Sequence, residues 1–503
     1  MNFYRRLRKG NLQKKSAIEQ TSEHLSSSLE QNLKKIKQIL GNSPDVIVRE
    51  FDVGADPTVR AAVVYIKGLT DQKAIQDFIL ETMMIQLKEI KIEEQFSEAE
   101  SFTQLKNIIT VGEIRQITEM RELFQLLLSG DAILLLDQTT KCFAIGMQGW
   151  EQRNVDEPPT QTVLRGPREG FTENLLTNVS LIRRRIKDTR LRFEVKQIGK
   201  MTKTSVAIMY MKGVTDEVIL NDLQKRLDSI DIASVFEGGT IEQAIEDGKY
   251  TPFPTVYNTE RPDVVAAGLV EGRIAIFVDG TPFVLLVPTI FSQFYQTPED
   301  YYQRADFGTM IRILRYIGLL IALTGPAFYI AVTTFHQEMI PHPLLINLAS
   351  QREGVPFPTF VESTFLLLMF EILREAGVRM PRVVGQAVSI VGAIVIGQAA
   401  VEAGIVSAAV VIVISATAIS SFVLPANNME IAVRILRLGL MCLAAALGLF
   451  GLIMGLIAVT LHLSSLHSFG VPYMSPFAPF VLSAQKDSLL RLPFHSKRKE
   501  SQS

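Results

Sequence analysis

From Tyr316 to Phe335 the chain reads YIGLLIALTGPAFYIAVTTF, 20 residues without a charge. As a helix this run is about 30 Å long, enough to cross the hydrocarbon core of a bilayer. Pro326 within it is expected to kink the helix. Further uncharged stretches run 383–401, 404–424 and 438–461, so at least four crossings are expected. Charges are dense up to about Arg315 and sparse from Tyr316 to about Leu466. The composition, 47% hydrophobic and 20% charged with a mean hydropathy of +0.21, is too apolar for a typical soluble enzyme and too charged for a chain buried wholly in lipid. A soluble half followed by a membrane half satisfies both. Arg304, Arg312 and Arg315 precede the first crossing, which by the positive-inside rule puts the soluble half in the cytoplasm. Nothing near the N-terminus has the order of a signal peptide, which agrees with that placement.

The soluble half repeats itself. YIKGLTD begins at Tyr65 and YMKGVTD at Tyr210, an offset of 145 that also carries AVVYIKGLTD from Ala62 onto AIMYMKGVTD from Ala207. Each copy is a β-rich apolar run (60–66 and 205–211), then Lys-Gly, then Thr-Asp, then a stretch with helical spacing. The glycine suits a tight turn off a strand, and Thr-Asp suits a helix start, where a side-chain oxygen accepts from unpaired N–H groups. Lys67, Gly68, Thr70 and Asp71 superficially suggest phosphate binding, but the glycines of a P-loop are absent, so turn and cap is the reading adopted. At an offset of 142, SGDAILLLD from Ser129 matches EGRIAIFVD from Glu271, each closing a helix with glycine and opening a hairpin.

The expected fold is therefore a soluble α/β N-terminal region of two similar subdomains followed by an all-α polytopic membrane domain. The boundaries expected are a basic, flexible tail (1–41), subdomain 1 (42–150), a linker with a helix (151–187) and subdomain 2 (188–300). A transmembrane domain of four to six segments (301–484) and a basic C-terminal tail (485–503) follow. On the linker helix, Arg183, Arg184 and Arg185 face either a partner or lipid headgroups, or simply water.

Functional candidates concentrate in PFPTFVESTFLLLMFEILREAGVRMPR, 356–382, which is apolar from Phe357 to Leu373 except for Glu362 and Glu371. Carboxylates facing lipid are costly, so this is a short crossing or a re-entrant segment. Nine residues is about 900° of helix, which points the two glutamates to opposite faces. Glu371 has Arg374 three residues on and suits a boundary ion pair. Glu362 has no such neighbour and shares a face with Leu366, Met369 and Leu373. Two roles stay open for it: lining an ion path or gate, with those three side chains, or an interhelical hydrogen bond. Glu371 and Glu402 are weaker candidates, Glu402 because a hydrated turn explains it. Small residues in GLFGLIMG from Gly448 allow close helix packing.

No catalytic, cofactor-binding or metal site is expected. GxSxG, HExxH, P-loop and EF-hand patterns are absent, His336 and His342 read as loop residues, and two cysteines, Cys142 and Cys442, make neither a disulfide framework nor a zinc site. A formal net charge of −1 gives no sign of nucleic-acid binding. The basic first 40 residues lie on anionic lipid or in solvent.

Four long motifs, RGPREGFTENLLTNVSLIRRRIKD, RPDVVAAGLVEGRIAIFVDGTPFVLLVPTIFSQFYQTPEDYYQR, the 356–382 segment and VGQAAVEAGIVS, resemble the A subunits of GerA-type spore germinant receptors over about 45–480. The resemblance implies a multi-pass protein of the inner spore membrane that works with a permease-like B subunit and a lipoprotein C subunit. It also implies a homo-oligomeric ring that releases monovalent cations when a nutrient is sensed, with B the nutrient binder. A non-conducting scaffold or signal-transducing subunit is the alternative. A transporter component would show inverted repeats in the membrane half, and none is visible after residue 310.

Overall fold

A computed structural model describes residues 24–53, 59–80, 113–149, 161, 163, 165–248, 250–380, 397–480, 485 and 487–491. The chain divides into two compact units, Met1–Glu246 with Val256–Pro288 and Asp247–Thr255 with Thr289–Ser503.

The first unit holds two five-stranded antiparallel sheets. Strands β1 (Val46–Val53), β2 (Val59–Ile66), β3 (Ile114–Ile117), β4 (Ala132–Leu136) and β5 (Cys142–Ile145) lie in the order β1-β2-β4-β5-β3. Strands β6 (Leu191–Ile198), β7 (Thr204–Met211), β8 (Tyr257–Thr259), β9 (Ile274–Val278) and β10 (Val284–Val287) lie in the order β6-β7-β9-β10-β8. Even the register repeats: Val46 faces Ile66 and Val53 faces Val59, as Leu191 faces Met211 and Ile198 faces Thr204. The helices of this unit are α1 (Leu29–Leu40), α2 (Met120–Leu127), α3 (Leu175–Arg185), α4 (Glu217–Asp228), α5 (Gly238–Ile245) and α6 (Pro262–Val270).

The repeated phrase is turn and cap. Gly68 and Gly213 take φ of 89° and 77°, a region open to glycine at little cost. Asp71 accepts from the N–H groups of Lys73 and Ala74, and Asp216 accepts from that of Val218. Alternation along the central strands then builds a core on each face. In the first sheet Val64, Ile133 and Leu135 pack with Leu33, Ile36 and Phe124 of α1 and α2, while Val63 and Leu134 pack with Ile75 on the other side. In the second, Val179 and Ile182 of α3 and Val265 and Leu269 of α6 cover Met209 and Phe277.

Two expectations need correction here. Residues 29–40 fall in the stretch read as a flexible tail, yet they form α1, capped by Ser28, with Leu29, Leu33, Ile36 and Leu40 buried. Helix α3 is its counterpart. Asn32 and Asn178 close the same loop, donating to the carbonyls of Ser26 and Thr172 at 2.6 Å each. Asp137 and Asp279 accept from the first N–H of each helix, at Leu29 (2.9 Å) and Leu175 (3.2 Å). The second correction concerns Arg183, which faces neither partner nor water. Only 1% of its side chain is exposed, and it donates to both Asp45 oxygens at 2.8 and 3.1 Å. Arg192 donates to the carbonyls of Ile39 and Leu40 at 2.9 and 3.1 Å, so paired polar groups join the two sheets. Arg184 and Arg185 pair with Glu169.

The second unit is helical, with α7 (Ala305–Phe335), α8 (His342–Arg352), α9 (Thr359–Arg379), α10 (Ala408–Phe422), α11 (Asn427–Ser465) and a two-stranded ribbon of β11 (His467–Ser468) and β12 (Val471–Pro472). Helix α7 runs on through Pro326. Among the described residues, α7 and α11 are long and apolar enough to cross a membrane, and α10 is a shorter apolar helix. Leu320, Phe328, Ile412, Phe450 and Leu461 are exposed, as lipid-facing side chains would be. Most of the crossing expected at 383–401 lies outside the described residues.

The 438–461 stretch was expected to cross once; instead the chain reverses within it. Gly448 breaks the helix with φ 63° and ψ −145°. A side chain placed at Gly451 would strike the Leu443 carbonyl, and one at Gly455 the Leu440 side chain. Residues 440 and 455 of a straight helix lie about 22 Å apart, so α11 is a tight helical hairpin with its bend at Gly448. Its arms, about 31 and 25 Å long, approach closely because glycines line the seam.

Part of the C-terminal stretch read as a tail is also anchored. Arg491 donates to the carbonyls of Gln303 and Tyr301, and its N–H donates to Thr309 Oγ1 at 3.0 Å. Nearby Asp300 binds Arg312 at 3.1 Å and Arg315 at 2.8 Å, all three buried.

Candidate ion path and gate

Helix α9 begins after Pro358 and carries Glu362 in its first turn. Glu362 is 1% exposed, and its Oε2 accepts from both the N–H and the hydroxyl of Ser407 at 3.0 Å each. Ser407 is the residue preceding α10, whose own hydroxyl makes no cap. The carboxylate therefore caps α10 from outside, where the positive end of the helix dipole favours it. Arg352, the last residue of α8, brings Nε to 3.7 Å from Oε1. The interhelical hydrogen bond left open for Glu362 is thus present, and its charged neighbour comes from another helix, not from its own turn. Ser407 is 45 residues away in the chain, beyond the reach of helical spacing.

Leu366, one turn on, is buried at 7% exposure, while Met369 and Leu373 are half-buried. Glu371 points elsewhere, as its spacing from Glu362 requires. It pairs with Arg374 at 2.6 Å, Arg437 at 3.2 Å and Arg434 at 3.7 Å. Glu430 joins them through Arg374 at 2.6 Å and Arg434 at 3.1 Å. Two carboxylates and three guanidiniums make a network of net charge +1 between α9 and the first arm of α11, with Arg437 1% exposed. Sequence reasoning found the Arg374 pair and missed the rest. The available signal was Glu430, Arg434 and Arg437 on one face of an otherwise apolar helix. Glu402 is exposed and accepts from Gln398 at 2.8 Å, a hydrated-turn arrangement.

Small residues set the packing around this site. Gly325 of α7 faces Thr417 of α10 and Gly318 faces Ser420 and Val423, so these two helices run antiparallel at close range. The α11 bend at Gly448 meets Phe335 and His336 at the end of α7. Among the described residues no group of three or more His, Cys, Asp or Glu side chains is arranged to hold a metal ion.

The class of this chain is a duplicated α/β sheet region joined to a helical unit with apolar helices of membrane-crossing length and buried ion pairs. Its family follows from comparison. Residues 34–503 match the family model described as Bacillus/Clostridium GerA spore germination protein. The chain is 48% identical to "Spore germination protein KA" of Bacillus subtilis over 95% of its own length and 87% of that protein's. It is 39% identical to "Spore germination protein GerLA" of Bacillus cereus, covering 93% and 94% of the two chains, and 38% identical to "Spore germination protein B1" of Bacillus subtilis, covering 93% and 95%. The crystal structure of the N-terminal domain of the A subunit of the Bacillus megaterium spore germinant receptor GerK3 is 39% identical, covering 54% of this chain and 98% of that one, with a TM-score of 0.43. The chain belongs to the GerA spore germination protein family.

Proposed function

We propose that the chain is the A subunit of a nutrient germinant receptor and forms, as a homo-oligomeric ring, a ligand-gated channel for monovalent cations, chiefly potassium. Its place is the inner spore membrane, crossed several times, with the sheet unit on the cytoplasmic side. A permease-like B subunit and a lipoprotein C subunit complete the receptor, with B supplying the nutrient signal. Family membership over residues 34–503 supports the receptor role. The observation that carries the conduction reading is Glu362, a carboxylate 1% exposed at the start of a helix that carries no other charge before Glu371, with Leu366 next on its face. Ionised groups at membrane depth are costly and mark ion paths when they persist. Nutrient binding on the partner biases a two-state gate formed by α9 near Glu362, Leu366, Met369 and Leu373.

A non-conducting scaffold is the second reading. It is favoured by the pairing of both glutamates: a carboxylate that caps a helix or sits among three arginines has a structural role already. Spores lacking the chain separate the two readings when complemented with variants. Leu366→Ala loosens a gate and releases potassium without nutrient if the chain conducts, whereas a scaffold variant shows only unchanged or lost nutrient response.

A further inference from the structure

The surroundings of Glu362 hold three buried polar atoms without a hydrogen-bond partner among the described residues: Glu362 Oε1, Arg352 Nε and Thr359 Oγ1. They come from two helices, α8 and α9. Arg352 Nε and Glu362 Oε1 face each other at 3.7 Å, an ion pair about 0.5 Å too wide for a hydrogen bond. Thr359 lies one turn before Glu362 on α9, and the Tyr329 hydroxyl of α7 hydrogen-bonds Ser407 within electrostatic reach of Arg352 and Glu362. A buried polar atom left unpaired is costly, and three in one place beside the Tyr329–Ser407 hydroxyl pair mark a site built for something more than these side chains.

Its donor set says what. Apart from the arginine, the site offers only oxygens: one carboxylate and the hydroxyls of Tyr329, Thr359 and Ser407. Hard oxygen ligands suit an alkali or alkaline-earth cation, and a single carboxylate matches one positive charge better than two. We propose that this niche binds a monovalent cation, and that Arg352 is a tethered competitor that fills the counter-charge position until it withdraws. Helix α8 buries none of its residues, and Leu344 and Ile346 on it are 50% and 56% exposed. Moving α8 therefore breaks no core. The inference deepens the reading of Glu362 as part of the ion path, giving that site a ligand and a blocking group.

The test is calorimetric titration of potassium chloride into the detergent-solubilised full chain, with N-methylglucamine chloride as the background salt. Arg352→Gln leaves the niche with charge −1 and is expected to bind potassium at least about tenfold more tightly than the parent chain, since a unit charge about 4 Å away is removed. Arg352→Lys, which keeps the tethered charge, stays close to the parent. Adding Glu362→Gln to Arg352→Gln abolishes the gain. Equal potassium affinity in the parent and in a folded Arg352→Gln chain overturns the site, as does a gain that survives in the double variant. Tighter binding of magnesium or calcium than of potassium by Arg352→Gln also overturns it. Binding is read without flux, so failure of the channel reading leaves this result intact: a chain that binds potassium but never conducts refutes the channel, and one that conducts without binding refutes the site.

Discussion

Replacing Arg183 by methionine removes one half of the buried ion pair that joins the two sheets. The pair is closed to solvent, with 1% of the Arg183 side chain and none of the Asp45 side chain exposed. Methionine fills much of the volume but leaves the carboxylate without its two guanidinium donors and the Leu191 carbonyl without a third, at 3.3 Å. Breaking such a pair costs about 3–5 kcal/mol, most of it the penalty of a lone buried charge. Hydrogen exchange on the full chain in detergent reads the effect locally. Protection in β1, β2, β6 and β7 is expected to fall roughly 100- to 5,000-fold, at 1.36 kcal/mol per factor of ten. Adding Asp45→Asn removes the stranded charge and is expected to restore a large part of the loss, so the two changes are strongly non-additive. A loss under about 1 kcal/mol for Arg183→Met, or simple additivity in the double variant, refutes the claim that this pair ties the sheets together.

Three further outcomes follow from local geometry. Gly448→Ala forces φ 63° on a residue with a Cβ and drives that atom to 2.9 Å from the Phe335 side chain, so the melting temperature drops; Gly439→Ala, open on all sides within the same helix, raises it slightly, by about 0.5–1 kcal/mol of stability. Glu371→Gln leaves three arginines with Glu430 alone and costs about 2–4 kcal/mol in thermal unfolding, while Glu402→Gln stays within about 0.5 kcal/mol. Burial, and then the like charges of Glu246 and Glu237, push Glu242 up to about 7 despite its hydrogen bond with Asn258. The folded chain therefore holds this proton more tightly than the unfolded one, so the contribution of Glu242 to stability is full below about 4.5 and is lost as pH rises through about 7. Glu242→Gln flattens that slope in a pH series of melting temperatures.

Much of the first unit was legible because duplication writes the same local chemistry twice. The Lys-Gly and Thr-Asp pairs and the Gly-to-strand phrases named the turns, caps and hairpins of both copies, and their fixed offsets foretold matching sheets. Helix α1 escaped because its likeness to α3 lies mostly in structure: both close on an asparagine, at Asn32 and Asn178, and share Leu29/Leu175 and Ile36/Ile182, while most other residues differ and the match sits at a slightly different offset. Arg183 was misread because three consecutive arginines look like a solvated face, and Asp45 is 138 residues away. The same reach defeated sequence reasoning in the helical unit. Helical spacing gives the face of Glu362 but not Ser407 or Arg352, and it gives Glu371 one arginine of three. Gly448 is one of several small residues in an apolar run, and only its backbone angles reveal a bend where a single crossing was expected.

The measurement that bears most directly on the central claim is potassium efflux from liposomes holding the purified chain alone, compared for the parent, Leu366→Ala and Leu366→Ala combined with Glu362→Gln. A conducting chain leaks slowly or not at all as the parent, faster once Leu366 is trimmed, and less again when the carboxylate beside it is neutralised. Folded, oligomeric protein that stays tight in all three forms contradicts the channel and leaves the scaffold.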